Sequence, residues 1–138
     1  MKSLLRGALR LAATGPLSVS EVWTRYSQPV WWPRWAPHLR EVEYSEPVVV
    51  AGTTGRVRGV GGVVARFRID AVDEAARTWS WSVAWGPLRL SFEHGVDEAP
   101  PGSGERSEAW VVVLGAWPVV IGYAPIARHA LARLVAPG

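Results

Sequence analysis

Few side chains in this 138-residue sequence have the chemistry that a catalytic or metal site needs. The chain has no cysteine, which excludes disulfides, thiolate nucleophiles and cysteine metal ligands. Its three histidines, His38, His94 and His129, are too dispersed for a metal-binding pair, and no metal or cofactor is predicted. No Gly-x-Ser-x-Gly elbow occurs, and the glycine-rich residues 59–62 lack the following helix that a dinucleotide site requires. The remaining candidates are single polar side chains among apolar ones.

His94 is the strongest of these candidates. It shares one face of a predicted strand with Leu88, Leu90 and Phe92, and an imidazole with an ordinary pKa suits proton transfer. The alternative is a structural histidine that forms hydrogen bonds at a strand end, near the rim of the sheet. Tyr123, on the apolar stripe of a predicted helix, can donate a hydrogen bond to a ligand carbonyl or place its hydroxyl at the surface.

Nine tryptophans are the unusual feature of the composition. Trp79, Trp81 and Trp85 alternate with small residues, which is the period of a half-buried strand. Three indoles on one face need a deep apolar partner, because each ring carries roughly 150–250 Å² of surface. That face must look into a packed core or a cavity. The predicted ligand-binding side chains are Trp35, Phe67, Trp79, Trp81, Trp85, Phe92, His94, Trp110, Trp117 and Tyr123.

The helices and strands that position these side chains are predicted from the periodicity of apolar residues and from the prolines and glycines that interrupt it. Ser18 and Glu21 form a capping-box pattern that predicts a short helix over residues 19–26, before a proline-bounded aromatic segment at 29–37. Large apolar residues fall at odd-numbered positions before Gly86 and at even-numbered positions after Pro87. This change predicts a turn between two paired strands. Strands are predicted over residues 40–45, 56–60, 63–70, 79–85, 88–94 and 108–115.

Both ends of the chain leave alternatives open. Residues 1–15 are a first strand at about 8–14, an amphipathic helix with Leu4 and Leu5 on its apolar side, or an N-terminal extension. The C-terminal segment has an amphipathic helical pattern, which either begins at Pro125 or runs from Val119 with Pro125 as a kink.

The charge pattern gives little support to a nucleic-acid site. The net charge is only +3, and Arg56, Arg58, Arg66 and Arg68 lie on two neighbouring predicted strands. They form either a solvated sheet face or a phosphate-binding patch. Because the tryptophans fall on other faces, we predict no nucleic-acid partner.

The N-terminus lacks the features of an export signal. Lys2, Arg6 and Arg10 interrupt its apolar residues, so there is no continuous core of the length that a signal peptide needs. The absence of cysteine fits a reducing compartment. We therefore expect a cytoplasmic protein without stable membrane insertion, and the sequence leaves its oligomeric state open.

Short helices, a run of strands and one final helix predict an α+β domain whose sheet wraps the last helix. A series of short motifs accompanies this order: Val22-Trp23, Trp32-Pro33-Arg34-Trp35-Ala36-Pro37, Val42-Glu43, Ala51-Gly52-Thr53, Trp79-Ser80-Trp81 and Phe92-Glu93-His94. Together they resemble the START-like (SRPBCC) superfamily, which includes polyketide cyclases, lipid-transfer domains and Bet v 1-like proteins. The resemblance covers about residues 16–135.

The resemblance implies a helix-grip fold in a single domain over residues 1–138. In this fold a curved antiparallel sheet wraps around the C-terminal helix, with two short helices after the first strand and a hydrophobic cavity inside. Two features depart from the family pattern: a first strand poor in valine and isoleucine, and Pro125 within the last helix.

Three functions remain open at this level. The first is binding of a hydrophobic or aromatic small molecule, lipid-like or polyketide-like. The second is a polyketide cyclase or dehydratase in which His94 acts on such a ligand. The third is a non-enzymatic interaction protein whose core is filled by its own indoles. The first two weaken together if Trp79, Trp81 and Trp85 fill the interior without a void.

Overall fold

The computed structural model describes residues 6–138, and these residues form one antiparallel sheet and three α-helices. Helices α1 (Val19–Ser27) and α2 (Trp32–Trp35) follow the first strand, and α3 (Trp117–Leu134) follows the last. The strands are β1 (Arg6–Gly15), β2 (Leu39–Glu43), β3 (Thr54–Gly59), β4 (Val64–Asp73), β5 (Thr78–Trp85), β6 (Leu88–Glu98) and β7 (Ser107–Ala116). Their order in the sheet is β1-β7-β6-β5-β4-β3-β2, so the chain order is broken only where β1 pairs with β7. This is the predicted α+β helix-grip arrangement.

The paired strands β5 and β6 have the predicted parity. Their register sets Trp79 opposite His94, Trp81 opposite Phe92 and Trp85 opposite Leu88. Gly86, with φ of 56°, makes the tight turn between them in a backbone region that favours glycine. One face of this hairpin therefore carries all the large aromatic side chains that the sequence analysis singled out there.

Strand β4 extends past the predicted end at residue 70, through a β-bulge at which the alternation of buried and exposed residues changes. Ala65, Phe67 and Ile69 are buried on alternate positions, as predicted. The register shifts between Ile69 and Ala71, and the strand then continues to Asp73. The simple alternation ends at this shift, which is why the predicted strand stopped at residue 70.

Helix α3 lies against the sheet through the predicted stripe. Its buried positions include Val120, Ala127, Leu131 and Leu134, while Tyr123 is half-buried. The helix runs continuously through Pro125, so the longer of the two predicted helices is right, with its start at Trp117 rather than at residue 119. The sheet curves around this apolar stripe and forms the grip.

The N-terminal residues form a strand, which rules out the amphipathic helix over residues 6–15. Strand β1 pairs with β7 from Arg6 opposite Ala116 to Gly15 opposite Ser107. Gly15 sits where a Cβ would approach the backbone of Val135 to 2.3 Å, so a glycine is needed for the end of α3 to pack here. Lys2, Leu4 and Leu5, on which part of the prediction rested, lie outside the described residues.

The outer face of β2, β3 and β4 carries mixed charge. Arg56 and Arg58 both pair with Glu43 in exposed ion pairs. Arg68 lies 4.0 Å from Asp70 on the same face. The arginines thus project from a solvated sheet surface with carboxylates between them. Within residues 6–138, no helix is long and apolar enough to cross a bilayer.

Candidate functional site

A cavity of about 580 Å³ lies between the inner face of the sheet and helix α3. Residues from β2 to β7, from α2 and the segment that follows it, and from α3 form its wall, which is almost entirely apolar. Among the described residues, the polar or charged side chains in the wall are His38, Arg89, His94 and Tyr123. The aromatic side chains in the wall are Trp32, Trp35, Trp79, Trp81, Trp85, Phe92 and Tyr123.

The inner wall is a stack of aromatic rings fixed by hydrogen bonds. Trp32 stacks on Trp79 at 5.3 Å, and Trp79 stacks on His94 at 4.6 Å, with interplanar angles of 17° and 15°. The indole N–H of Trp32 donates to the Tyr26 carbonyl, and that of Trp35 donates to the Arg25 carbonyl, both at 2.9 Å. Rings held in this way form a rigid, preformed surface.

Sequence reasoning missed Trp32 because the segment around it has no single period. Pro29 and Pro33 confine it to a short 3₁₀ turn and the four-residue helix α2. Neither element is long enough to show which side chains face inward. The signal that was present is the cluster of indoles between prolines, of which Trp32 is fully buried and Trp31 is not.

His94 lies inside the protein, in the middle of β6, and not at the rim of the sheet. The indole N–H of Trp81 donates to its Nε2 at 3.0 Å, so the imidazole accepts there and its proton resides on Nδ1. That Nδ1 has no hydrogen-bond partner among the described residues. Burial lowers the pKa of His94 to about 3, because the charged form would lose its hydration. The prediction that His94 has an ordinary pKa is therefore wrong.

Tyr123 and His38 form the other polar point of the wall. The Tyr123 hydroxyl lies 2.9 Å from Nε2 of His38, and the two rings meet edge to face. Burial raises the pKa of Tyr123. Burial also lowers the pKa of His38, and the nearby His129 lowers it further. The Tyr123 hydroxyl thus points to His38 in the cavity wall and not to the surface, and no sequence pattern indicated this partner.

The mouth of the cavity is rimmed by exposed apolar side chains. Trp85 and Leu88 face each other across the β5–β6 turn, Val60 comes from the β3–β4 connection, and Ile126 comes from α3. Trp85 is 52% exposed, so the third indole of its strand face does not fill the interior. Arg89 lies beside Leu88 and contributes the one charged side chain to the described part of the wall.

The cavity gathers seven of the ten predicted ligand-binding residues. These are Trp35, Trp79, Trp81, Trp85, Phe92, His94 and Tyr123. Phe67 points into the same core but lies behind the wall, 5.6 Å from Trp32 and 5.3 Å from Trp81. Phe67 therefore supports the wall without forming its surface.

Trp110 and Trp117 do not line this cavity, which corrects the prediction for both. Odd-numbered residues of β7 face the core, so Trp110 lies on the outer face, where it covers Gly95 and its indole N–H donates to Asp97 at 3.1 Å. Trp117, at the start of α3, is 38% exposed and packs over Gly7. Because β7 is apolar on both faces, parity alone did not reveal which face Trp110 takes.

No metal site is visible in the part of the chain that the structure describes. No group of three or more aspartate, glutamate or histidine side chains there could hold a metal ion. The described cavity wall itself consists of apolar surface with four polar or charged side chains, His38, Arg89, His94 and Tyr123.

The comparisons with known proteins show the fold. Among solved structures, 177 chains match this one. The crystal structure of Ara h 8.0201, a Bet v 1-like allergen, superposes with a TM-score of 0.67 over 94% of this chain and 97% of that chain, at 18% sequence identity. No protein-family model matches the sequence, and no curated protein matches it. The predicted helix-grip fold is thus confirmed, and it is the fold of this Bet v 1-like allergen.

Proposed function

We propose that this protein binds a hydrophobic or aromatic small molecule in the cavity between the sheet and α3. The observation that carries the proposal is the cavity itself, about 580 Å³ in volume and walled by aromatic rings. Ligand sites are commonly apolar cavities of roughly 300–1,000 Å³ with a few placed polar groups. The cavity therefore has the size and lining to take a lipid-like or fused-ring ligand.

The wall is suited to bind such a ligand without large rearrangement. The hydrogen bonds of Trp32 and Trp35 to backbone carbonyls hold two of the indoles in place before any ligand arrives. A preformed apolar surface avoids the entropic cost of ordering side chains on binding. The outward position of Trp85 also favours a binding cavity over an interaction protein with a filled core.

A titration of tryptophan fluorescence with fatty acids, flavonoids and fused-ring aromatics tests the proposal. Gly122 provides a matched pair of control variants, since it lines the cavity and a Cβ there meets no atom within 4 Å. We expect saturable quenching in the natural protein and in Gly122→Ala, and at least tenfold weaker binding in Gly122→Phe. No saturable response to any ligand, or equal binding by both variants, would contradict the proposal.

A polyketide cyclase or dehydratase is the second candidate function, and His94 is the observation behind it. His94 lines the cavity, and the unpartnered Nδ1–H of its neutral imidazole would polarise a ligand carbonyl once movement of the ring brings this buried atom to the cavity surface. A general-base role fits less well, since the Nε2 lone pair already accepts from Trp81. If His94 is catalytic, His94→Ala abolishes turnover of a poly-β-keto substrate but leaves its binding intact. Unchanged turnover would remove His94 from the mechanism.

A further inference from the structure

His38 and Tyr123 form a hydrogen bond in the cavity wall, although they are far apart in the sequence. His38 immediately precedes β2, whereas the half-buried Tyr123 lies on the apolar stripe of α3. Their side chains meet at 2.9 Å, and both line the cavity. Phe92 packs edge to face against Tyr123 at 5.3 Å, which holds the phenol ring in the wall. A fixed hydroxyl is thus part of an otherwise apolar surface.

This pair has hydrogen-bonding capacity left over for a ligand. A tyrosine hydroxyl has one donor and two acceptor sites, and an imidazole Nε2 either donates or accepts according to its tautomer. When Nε2 donates to the hydroxyl oxygen, the Tyr123 O–H is free to donate to a ligand carbonyl. When Nε2 accepts from Tyr123, the hydroxyl oxygen retains a lone pair that can accept from a ligand hydroxyl. One pair therefore serves either ligand group.

The charge of the surroundings restricts the ligand group further. In the described part of the wall, Arg89 is the one permanently charged side chain, and it is exposed at the mouth. Burial keeps His38 and Tyr123 neutral near pH 7 because it lowers the pKa of the first and raises that of the second. A carboxylate or ammonium beside the pair would lose its hydration and find no opposite charge. An uncharged oxygen meets no such penalty.

We propose that the His38–Tyr123 pair is the recognition point for a single uncharged oxygen, a carbonyl or a hydroxyl, on an otherwise apolar ligand. This inference rests on the proposed function, because it names the ligand class that the cavity selects. Tyr123 contacts the ligand oxygen directly. His38 is a positioning residue, which orients the hydroxyl through its Nε2.

Two probes that differ in one group test the inference. 2-Acetylnaphthalene and 2-ethylnaphthalene have nearly the same shape, but only the first carries a carbonyl. Calorimetric titration measures the affinity of both for the natural protein and for Tyr123→Phe. We expect the variant to bind the ketone about tenfold more weakly, as for the loss of one buried hydrogen bond, and the hydrocarbon with nearly unchanged affinity. Comparing variants for each probe cancels the difference in hydrophobicity between the probes.

The carbonyl itself provides a second measurement that needs no variant. We expect the infrared stretch of bound 2-acetylnaphthalene to lie at lower wavenumber than in an apolar solvent, and to return toward the solvent value in Tyr123→Phe. In His38→Gln, which keeps a neutral hydrogen-bonding group beside the hydroxyl, we expect a partial shift.

The outcomes separate this inference from the proposed function. If both probes bind and Tyr123→Phe weakens both equally, Tyr123 acts by packing alone and the inference is wrong. An unshifted carbonyl band in the natural protein also overturns it, even if the variant does not fold. If neither probe binds the natural protein and the wider ligand panel gives no response, the proposed function fails and the inference fails with it.

Discussion

At the scale of single residues, the interior depends on aromatic side chains whose polar atoms have fixed partners. The hydroxyl of Tyr26 donates to the Trp110 carbonyl at 2.9 Å, and the indole N–H of Trp81 donates to His94. These bonds allow rings with polar atoms to be buried, because an unpaired donor costs about 1–3 kcal/mol. The indole N–H of Trp79 and Nδ1 of His94 are buried without a partner among the described residues, so each carries a cost of this kind.

The lowered pKa values of the buried His94 and the half-buried His38 predict that the protein loses stability in mild acid. The folded pKa of His94 is about 3, and that of His38 is also lowered, so the unfolded chain binds more protons below about pH 6.5. Stability is therefore complete above that pH and falls as the pH drops toward 3. For His94 the expected loss between pH 7.5 and 5.5 is roughly 1.4 kcal/mol. Urea unfolding at the two pH values measures it.

The variant His94→Gln separates this effect from other titrations. Glutamine keeps an acceptor for the indole N–H of Trp81 but does not titrate. We expect the difference in unfolding free energy between pH 7.5 and 5.5 to shrink by about 1 kcal/mol in this variant. An unchanged difference would mean that His94 is not buried as a neutral imidazole.

The close packing of Trp110 on Gly95 predicts a structural role for this indole on the outer face. A Cβ at residue 95 would lie 2.2 Å from the Trp110 indole, so Gly95→Ala must displace the ring. We expect a loss of about 1–3 kcal/mol in unfolding free energy, as for other overpacked sites. The same substitution made in a Trp110→Ala background should cost little. Ligand binding should be unaffected in both, and a loss of binding in Gly95→Ala would indicate that Trp110 reaches the cavity.

At the scale of elements, Arg25 joins two helices that are far apart in the sequence. Its guanidinium donates to the carbonyls of Arg133, Leu134 and Ala136, at 3.0 to 3.3 Å, and so caps the C-terminus of α3 from α1. A positive charge here also complements the negative end of the helix dipole. The contact holds the last turn of α3 against the rest of the fold.

Replacing Arg25 tests the importance of this cap. In Arg25→Met, which keeps an unbranched apolar stem but removes the donors and the charge, we expect a loss of about 1.5–3 kcal/mol of stability. Arg25→Lys should retain part of it, because the ammonium keeps the positive charge and has three N–H donors but lies on a shorter side chain. Thermal unfolding measures both, and equal stability of the methionine variant and the natural protein would show that solvent replaces the cap.

Replacing Gly122 in α3 by alanine is expected to stabilise the protein. Gly122 lies in the helix interior with an ordinary backbone conformation, and a Cβ there meets no neighbour. Gly122→Ala should therefore raise the unfolding free energy by about 0.5–1 kcal/mol. Chemical denaturation measures this gain. A loss instead would show that close approach or bending at this point is required.

At the scale of the whole molecule, the fold encloses a neutral cavity while its charges lie outside. The Arg56 and Arg58 pairs with Glu43 occupy the outer face of the sheet, and Arg89 stands at the mouth. Exposed ion pairs of this kind contribute little to stability. For the proposed ligand we therefore expect selection by shape and by uncharged hydrogen bonds, with Arg89 as the one charge of the described wall within reach at the mouth.

This separation predicts that uncharged ligands stabilise the protein more than charged ones of the same shape. A ligand that binds only the folded state adds about 2.7 kcal/mol of stability at a concentration of one hundred times Kd. At equal concentration near pH 7, we expect 2-acetylnaphthalene to raise Tm and 2-naphthoate to raise it much less. A larger shift with the carboxylate would instead place the ligand head group beside Arg89.

Much of the architecture was readable from the sequence because it depends on local periodicity. The two-residue period of Trp79 and Trp81, the turn at Gly86 and the stripe of Tyr123 on the last helix each reflect how a strand or helix exposes its faces. The same patterns account for six of the seven predicted side chains in the cavity wall, whereas Trp35 lies on the short helix α2, where no period applies. The resemblance then supplied the arrangement of these elements around the helix.

Only the tertiary structure decided what depends on residues far apart in the chain. The pairing of His38 with Tyr123 spans 85 positions, and the neutral state of His94 depends on burial by the whole core. Neither leaves a periodic pattern. The outward placement of Trp110 and the exposure of Trp85 are likewise set by which face of each strand the rest of the chain covers. The sequence alone thus determined the elements and their apolar faces. Packing determined the cavity, its volume and its polar points, because these arise from contacts that only the folded chain makes.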